Sequence, residues 1–91
     1  MMQVSKVRNA TGSGRMATHS VFGVFTEEGT QIAIIGWNGS GWEIRKHSDG
    51  KIGEIIAKFP QIETAGHTLA TAKAWAKNGE NWEPRITLHF S

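Results

Sequence analysis

Residues 9–20 read NATGSGRMATHS and combine glycines, hydroxyl side chains, Arg15 and His19 with no acidic residue. A glycine-rich loop can bind phosphate because its backbone N–H groups can point at the anion. The Walker pattern, however, requires Gly-x-x-x-x-Gly-Lys-Ser/Thr between a strand and a helix. No Lys-Ser/Thr follows the TGSGR run at residues 11–15, and the next residues have strand character. The stretch therefore predicts a flexible basic arm that presents Arg15, or a long hairpin loop, and not a nucleotide site.

The spacing of the histidines and acidic residues does not indicate a metal site or an acid–base catalytic site. The chain has four histidines, each in a different predicted element: His19, His47, His67 and His89. None of them forms a His-x-x-x-His pair, and the absence of cysteine excludes thiolate nucleophiles and cysteine-bound zinc. Asp49 is predicted to stabilise a turn, whereas Glu43 and Glu54 would face each other on adjacent strands as part of a charge ladder. We therefore expect no enzyme, no catalytic residue, no metal site and no cofactor.

Tryptophans and cations are the residues best suited to binding a partner. The chain has four tryptophans: Trp37, Trp42, Trp75 and Trp82. The last three suit a core, whereas for Trp37 both a core role and an exposed interface role are open. Residues 1–25 contain three basic residues and no acid. The predicted partner-binding residues are Lys6, Arg8, Arg15, Trp37, Arg45 and Lys46. The cations among them would contact phosphates or acidic groups, and the tryptophan would anchor an interface.

Hydrophobic alternation with period two predicts the strands that position these residues. Four such runs span residues 20–26, 31–37, 42–47 and 51–59. The turn sequences EEGT, NGSG and SDG separate them, and glycine in each accommodates a tight reversal. A further short strand is an open alternative at residues 2–8. Consecutive strands joined by short turns predict an antiparallel meander.

The pattern changes to a helical period at residues 68–79, TLATAKAWAKNG. Thr68 is predicted to be the N-cap, Lys77 to lie in the last turn, and Gly79 to take a left-handed conformation after the helix. The apolar stripe that would pack on the sheet consists of Leu69, Ala72, Trp75 and Ala76. Residues 82–90 alternate again and predict a C-terminal strand. The expected fold class is α+β, with a sheet of four to five antiparallel strands and one helix packed on one face.

Length and composition indicate one small domain of 91 residues with a net charge of +2. Residues 1–18 are predicted to form a basic, Gly/Ser-rich segment, with or without a short strand, and residues 19–91 the α+β domain. No apolar run reaches the roughly 18 residues of a membrane span, and no secretory signal is recognisable at the start. We expect a cytoplasmic protein that is a monomer or a weak edge-strand dimer and does not bind membranes.

Residues 41–59 followed by 68–78 resemble the three-strand-plus-helix modules at the front of phage integrases and in plant AP2 proteins. Modules of that family bind DNA by laying the sheet in the major groove. This resemblance implies a small DNA-binding module, such as an accessory recombination factor.

The chain is also similar in type to the anti-CRISPR proteins of phages and mobile elements. The similarity lies in its length, its lack of cysteine and catalytic motifs, its mixed charge and its predicted sheet with one helix. It implies a non-enzymatic, phage-encoded inhibitor that docks on a CRISPR-Cas effector ribonucleoprotein in the host bacterial cytoplasm. Such an inhibitor would contact or compete with guide RNA or target DNA. The DNA-binding module is the alternative, and a structural domain that dimerises through an edge strand is a third.

Overall fold

A computed structural model describes residues 2–12, 18–61 and 65–82, with the backbone alone at residues 65–67. The described chain forms one antiparallel sheet and one α-helix, so the predicted α+β class is confirmed. The five strands are β1 (Gln3–Arg8), β2 (Val21–Phe25), β3 (Gln31–Trp37), β4 (Gly41–Ser48) and β5 (Lys51–Pro60). Their order in the sheet is the order of the chain, which is the predicted meander with the N-terminal strand added at one edge.

The turns form where the sequence predicts them. Asp49 and Gly50 have φ of 52° and 77° and connect the paired residues Ser48 and Lys51. Positive φ at both central residues is the requirement of a type I′ hairpin turn. In the preceding turn, the Asn38 side-chain oxygen accepts hydrogen bonds from the backbone N–H of residues 40 and 41, at 2.8 and 2.9 Å.

Helix α1 spans Ala65–Lys77, so it begins earlier than the capping pattern predicts. Thr68 lies inside the helix, and its predicted N-cap role is wrong. Lys77 lies in the last turn, as expected. Gly79 is not among the residues with positive φ; it begins a short 3₁₀ helix, Gly79–Asn81, so the left-handed prediction is also wrong. Asn78 ends α1 and caps this 3₁₀ helix, because its side chain accepts a hydrogen bond from the N–H of residue 80.

The core lies between α1 and the face of the sheet that the helix covers. Ala72 and Ala76 are fully buried, and Leu69 and Trp75 pack beside them, which confirms the predicted stripe. Trp82 is 2% exposed, and its indole Nε1 donates a 2.7 Å hydrogen bond to the carbonyl oxygen of Ala76. This bond satisfies a carbonyl at the end of the helix that has no partner within it. Of the predicted C-terminal strand, residues 83–90 lie outside the described part of the chain.

Candidate functional site

The second face of the sheet is the candidate site, because no described helix covers it. Side chains alternate across a sheet, so the neighbours of core residues on β2, β3 and β4 point away from α1. Cross-strand pairing aligns them into two rows, Gly23–Ile34–Arg45–Ile55 and Gly36–Glu43–Lys58. We call the side of the sheet that carries these rows the open face.

A groove of about 550 Å³ lies on the open face. The residues that line it come from the strands and from the segment before β2: Arg8, Thr18, His19, Val21, Ile34, Gly36, Trp37, Glu43, Arg45 and Ile52. A Cβ placed on Gly36 would meet no atom of the described residues within 4 Å. The missing side chain at this position therefore contributes to the depth of the groove.

Arg45 is held in the groove by two acceptors. Its Nε donates to Oε1 of Glu43 at 2.6 Å, and its Nη1 donates to the carbonyl oxygen of Gly53 at 3.3 Å. The second oxygen of Glu43, Oε2, accepts a 3.1 Å hydrogen bond from Nδ2 of Asn38. The hydrogen bonds from Arg45 and then Asn38 hold the pKa of Glu43 below its ordinary value. Glu43 is therefore charged at neutral pH and fixes the orientation of the Arg45 guanidinium.

Three aromatic rings cluster at the end of the sheet where the groove lies, and the two tryptophans among them belong to the helix-side row that continues to Phe59. Trp37 and Trp42 are paired directly across β3 and β4, with ring centroids 5.6 Å apart. His19 stacks on Trp37 at 4.5 Å with an interplanar angle of 20°, and it meets Trp42 edge-on at 5.6 Å. Trp42 is buried, whereas His19 is exposed. Trp37 packs against the core, which is one of the two roles left open by the sequence, and it also lines the groove.

The structure separates the predicted binding residues into two groups. Arg8, Trp37 and Arg45 line the groove together. Lys6 pairs with Phe22 and Lys46 pairs with Ala33, so both belong to rows on the helix side of the sheet. Arg15, the remaining predicted residue, lies outside the described part of the chain. His19, in contrast, was not predicted as a binding residue, because only the pairing of β2 with β3 brings the segment before β2 next to Trp37.

The predicted pair of facing carboxylates does not form. Glu43 lies opposite Lys58 on β5, and Lys58 contributes to the lowered pKa of Glu43. A regular register counted from Ser48 and Lys51 would place Glu43 opposite Ile56, and the irregularities between β4 and β5 move its partner to Lys58, so neither register places Glu54 opposite Glu43. Glu43 belongs to a ladder of alternating charges with Arg45 and Lys58.

Within residues 2–12, 18–61 and 65–82, no three His, Cys, Asp or Glu residues lie close enough to hold a metal ion. None of the helices in these ranges has the length and apolar character needed to span a membrane. Comparison with known proteins finds no matching family model, no matching curated protein and no matching solved structure. The geometry of the open face is therefore the basis for assigning a function.

Proposed function

We propose that this protein is a non-enzymatic, stoichiometric binding protein that engages a nucleic-acid-containing partner through its open face. The observation that carries the proposal is the fixed guanidinium of Arg45 in a groove that no described helix covers. Arginine presents N–H donors in a planar fork that matches phosphate geometry, and holding the fork in place reduces the conformational entropy lost on binding. Phosphate contacts position a protein on a nucleic acid and supply much of the affinity.

The charges around the groove favour an anionic partner. Among the described residues that line it, Arg8 and Arg45 are cations and Glu43 is the one acid. Lys58 adds a further cation next to Glu43 on the neighbouring strand. Both oxygens of Glu43 already accept hydrogen bonds from Arg45 and Asn38. An incoming phosphate would therefore meet an excess of positive charge.

The most specific form of the proposal is a phage-encoded inhibitor that occupies a nucleic-acid-binding surface of a bacterial CRISPR-Cas effector complex. The similarity in type to anti-CRISPR proteins supports it, as does the groove in which Arg8 and Arg45 lie with His19 and Trp37. Such a protein would act in the cytoplasm of the host cell and contact guide RNA or target DNA together with protein.

Direct DNA binding is a second candidate, favoured by the arrangement of β3, β4, β5 and α1. These elements form a sheet with a helix on one face and Arg45 on the other. In the integrase and AP2 modules that this part of the chain resembles, the sheet enters the major groove. Direct binding predicts affinity for naked duplex DNA, with a slope of about −0.9 in log K against log salt for each phosphate contact.

The deciding experiment measures binding of the purified protein to a panel of purified effector ribonucleoproteins and to naked duplex DNA. The variant Arg45→Gln removes the fixed cation, and Lys77→Gln is its matched control on the exposed surface of α1. The inhibitor form predicts binding to one assembled complex that is weakened by Arg45→Gln and unchanged by Lys77→Gln. Salt-sensitive binding to naked duplex alone would support the DNA-binding module instead. Binding that Arg45→Gln leaves unchanged would contradict both forms.

A further inference from the structure

We infer that His19 on Trp37 forms a stacking position for an unpaired nucleobase, and that the nucleic acid bound by the open face is therefore single-stranded. This inference rests on the proposed function and specifies its ligand. A purely structural role accounts for Trp37, which packs against the core. It does not account for His19, an exposed residue whose ring stacks on Trp37.

The ring pair provides a rigid platform for a base. The His19 ring stacks on Trp37 and makes a T-shaped contact with the buried Trp42. The ring centroid of Trp42 in turn lies 6.2 Å from that of the core residue Phe22, so the cluster is anchored in the core. A ring held in this way loses little conformational freedom when a base stacks on it. Stacking of bases on aromatic side chains is sequence-tolerant, because every base has a π-face.

Phosphate-binding groups lie beside the platform. Nη2 of Arg8 is 3.5 Å from the carbonyl oxygen of His19, so this guanidinium lies next to the ring-bearing residue. Arg45 lines the same groove. A single strand needs both features within one site: cations that follow its backbone and rings on which its bases stack.

A base paired in a duplex is already stacked on its neighbours and does not offer a face to a protein ring. The cations alone would serve a duplex, and His19 would then add nothing to affinity. An unpaired strand can place a base on His19 and its adjacent phosphates near Arg8 and Arg45. The three residues thus distinguish single-stranded from duplex ligands.

The test measures fluorescence anisotropy of labelled 12-nucleotide ligands: single-stranded RNA, single-stranded DNA and the corresponding DNA duplex. His19→Ala removes the ring, His19→Phe keeps a ring that can stack, and Lys77→Gln is the control for loss of charge elsewhere. We expect both single strands to bind more tightly than the duplex. His19→Ala should weaken single-strand binding by roughly 5- to 150-fold, the range that base–aromatic stacking supplies, and His19→Phe should retain it. His19 is exposed, so thermal unfolding of His19→Ala should match that of the wild type.

The other outcomes separate the inference from the function on which it rests. If the duplex binds as well as the single strands, or if His19→Ala binds normally while Arg45→Gln does not, the stacking position is refuted and the proposed function stands. If no oligonucleotide binds but an effector complex does, and Arg45→Gln weakens that binding, the groove contacts protein and the inference is wrong. If neither ligand binds, both the inference and the proposed function fail.

Discussion

Replacement of Gly36 by valine should fill the groove without disturbing the sheet. A Cβ at this position has no atom of the described residues within 4 Å. Gly36 is in β3, paired with Glu43, and does not have the positive φ that would strain a larger residue. Glycine in the interior of a strand destabilises by about 0.5–1 kcal/mol relative to alanine, and β-branched residues favour strands. Gly36→Val should therefore raise the free energy of unfolding by about 1 kcal/mol.

Thermal unfolding followed by circular dichroism measures this effect, because about 1 kcal/mol moves the Tm of a domain of this size by roughly 4–8 °C. Gly41→Ala is the contrasting control on β4. A Cβ there would lie 2.5 Å from the carbonyl oxygen of Phe59 and 2.7 Å from Cα of Pro60, and backbone atoms do not yield easily. That variant should lose about 1–3 kcal/mol. A lower Tm for Gly36→Val would refute the reasoning, because it would mean that the open face is covered.

Three further substitutions test the contacts that build the site and its scaffold. Glu43→Gln should remove a stabilisation of about 1.5–3 kcal/mol at pH 7, the range for hydrogen bonds to charged groups. The pKa of Glu43 is lower in the folded state than in the unfolded state. The contribution of Glu43 to the free energy of unfolding is therefore fully present above the unfolded pKa of about 4.3, and it is lost as the pH falls through the folded pKa. The stabilities of wild type and Glu43→Gln, measured by urea unfolding, should therefore start to converge as the pH falls below about 4.3 and should meet below the folded pKa of Glu43. Trp82→Phe should cost about 1–3 kcal/mol, because it leaves the carbonyl oxygen of Ala76 without its buried donor. Gly50→Ala should cost about 1 kcal/mol, because Gly50 has a φ of 77°.

Each of these predictions has an outcome that contradicts it. A constant difference between wild type and Glu43→Gln from pH 7 to pH 3 would show that the Glu43 charge makes no contribution. Unchanged stability of Trp82→Phe would mean that water or another donor replaces the indole. If Gly50→Ala is as stable as wild type, the turn between β4 and β5 is not the two-residue type I′ turn of the structure.

The fold was predictable where its determinants are local. Alternating residues and the turns around Gly29, Gly39 and Gly50 defined β2 to β5, because each of these glycines takes a positive φ at a reversal. The start of α1 was not predictable from capping, because the helix continues upstream of Thr68 through residues 65–67. Strand β1 had a weak signal, since it is an exposed edge strand whose alternation is largely polar.

The site was less predictable, because it depends on register. Lys6 and Arg8 are two residues apart and would share a face of a regular strand. A bulge between them pairs Lys6 with Phe22 but Arg8 with Val21, so Arg8 moves to the open face. A shift of one residue in register reverses the side on which every following residue lies, and nothing in the spacing of the cations predicts it. The contact of His19 with Trp37 likewise depends on the pairing of β2 with β3.

The most direct test of the central claim is an NMR titration of ¹⁵N-labelled protein with short single-stranded and duplex oligonucleotides. The account predicts that chemical-shift changes concentrate on residues that line the groove, at the backbone of Gly36 and Arg45, the indole N–H of Trp37 and the segment around His19. It also predicts that Arg45→Gln reduces them. Shift changes that concentrate instead on the exposed surface of α1 around Lys77, or that Arg45→Gln leaves unchanged, would contradict it.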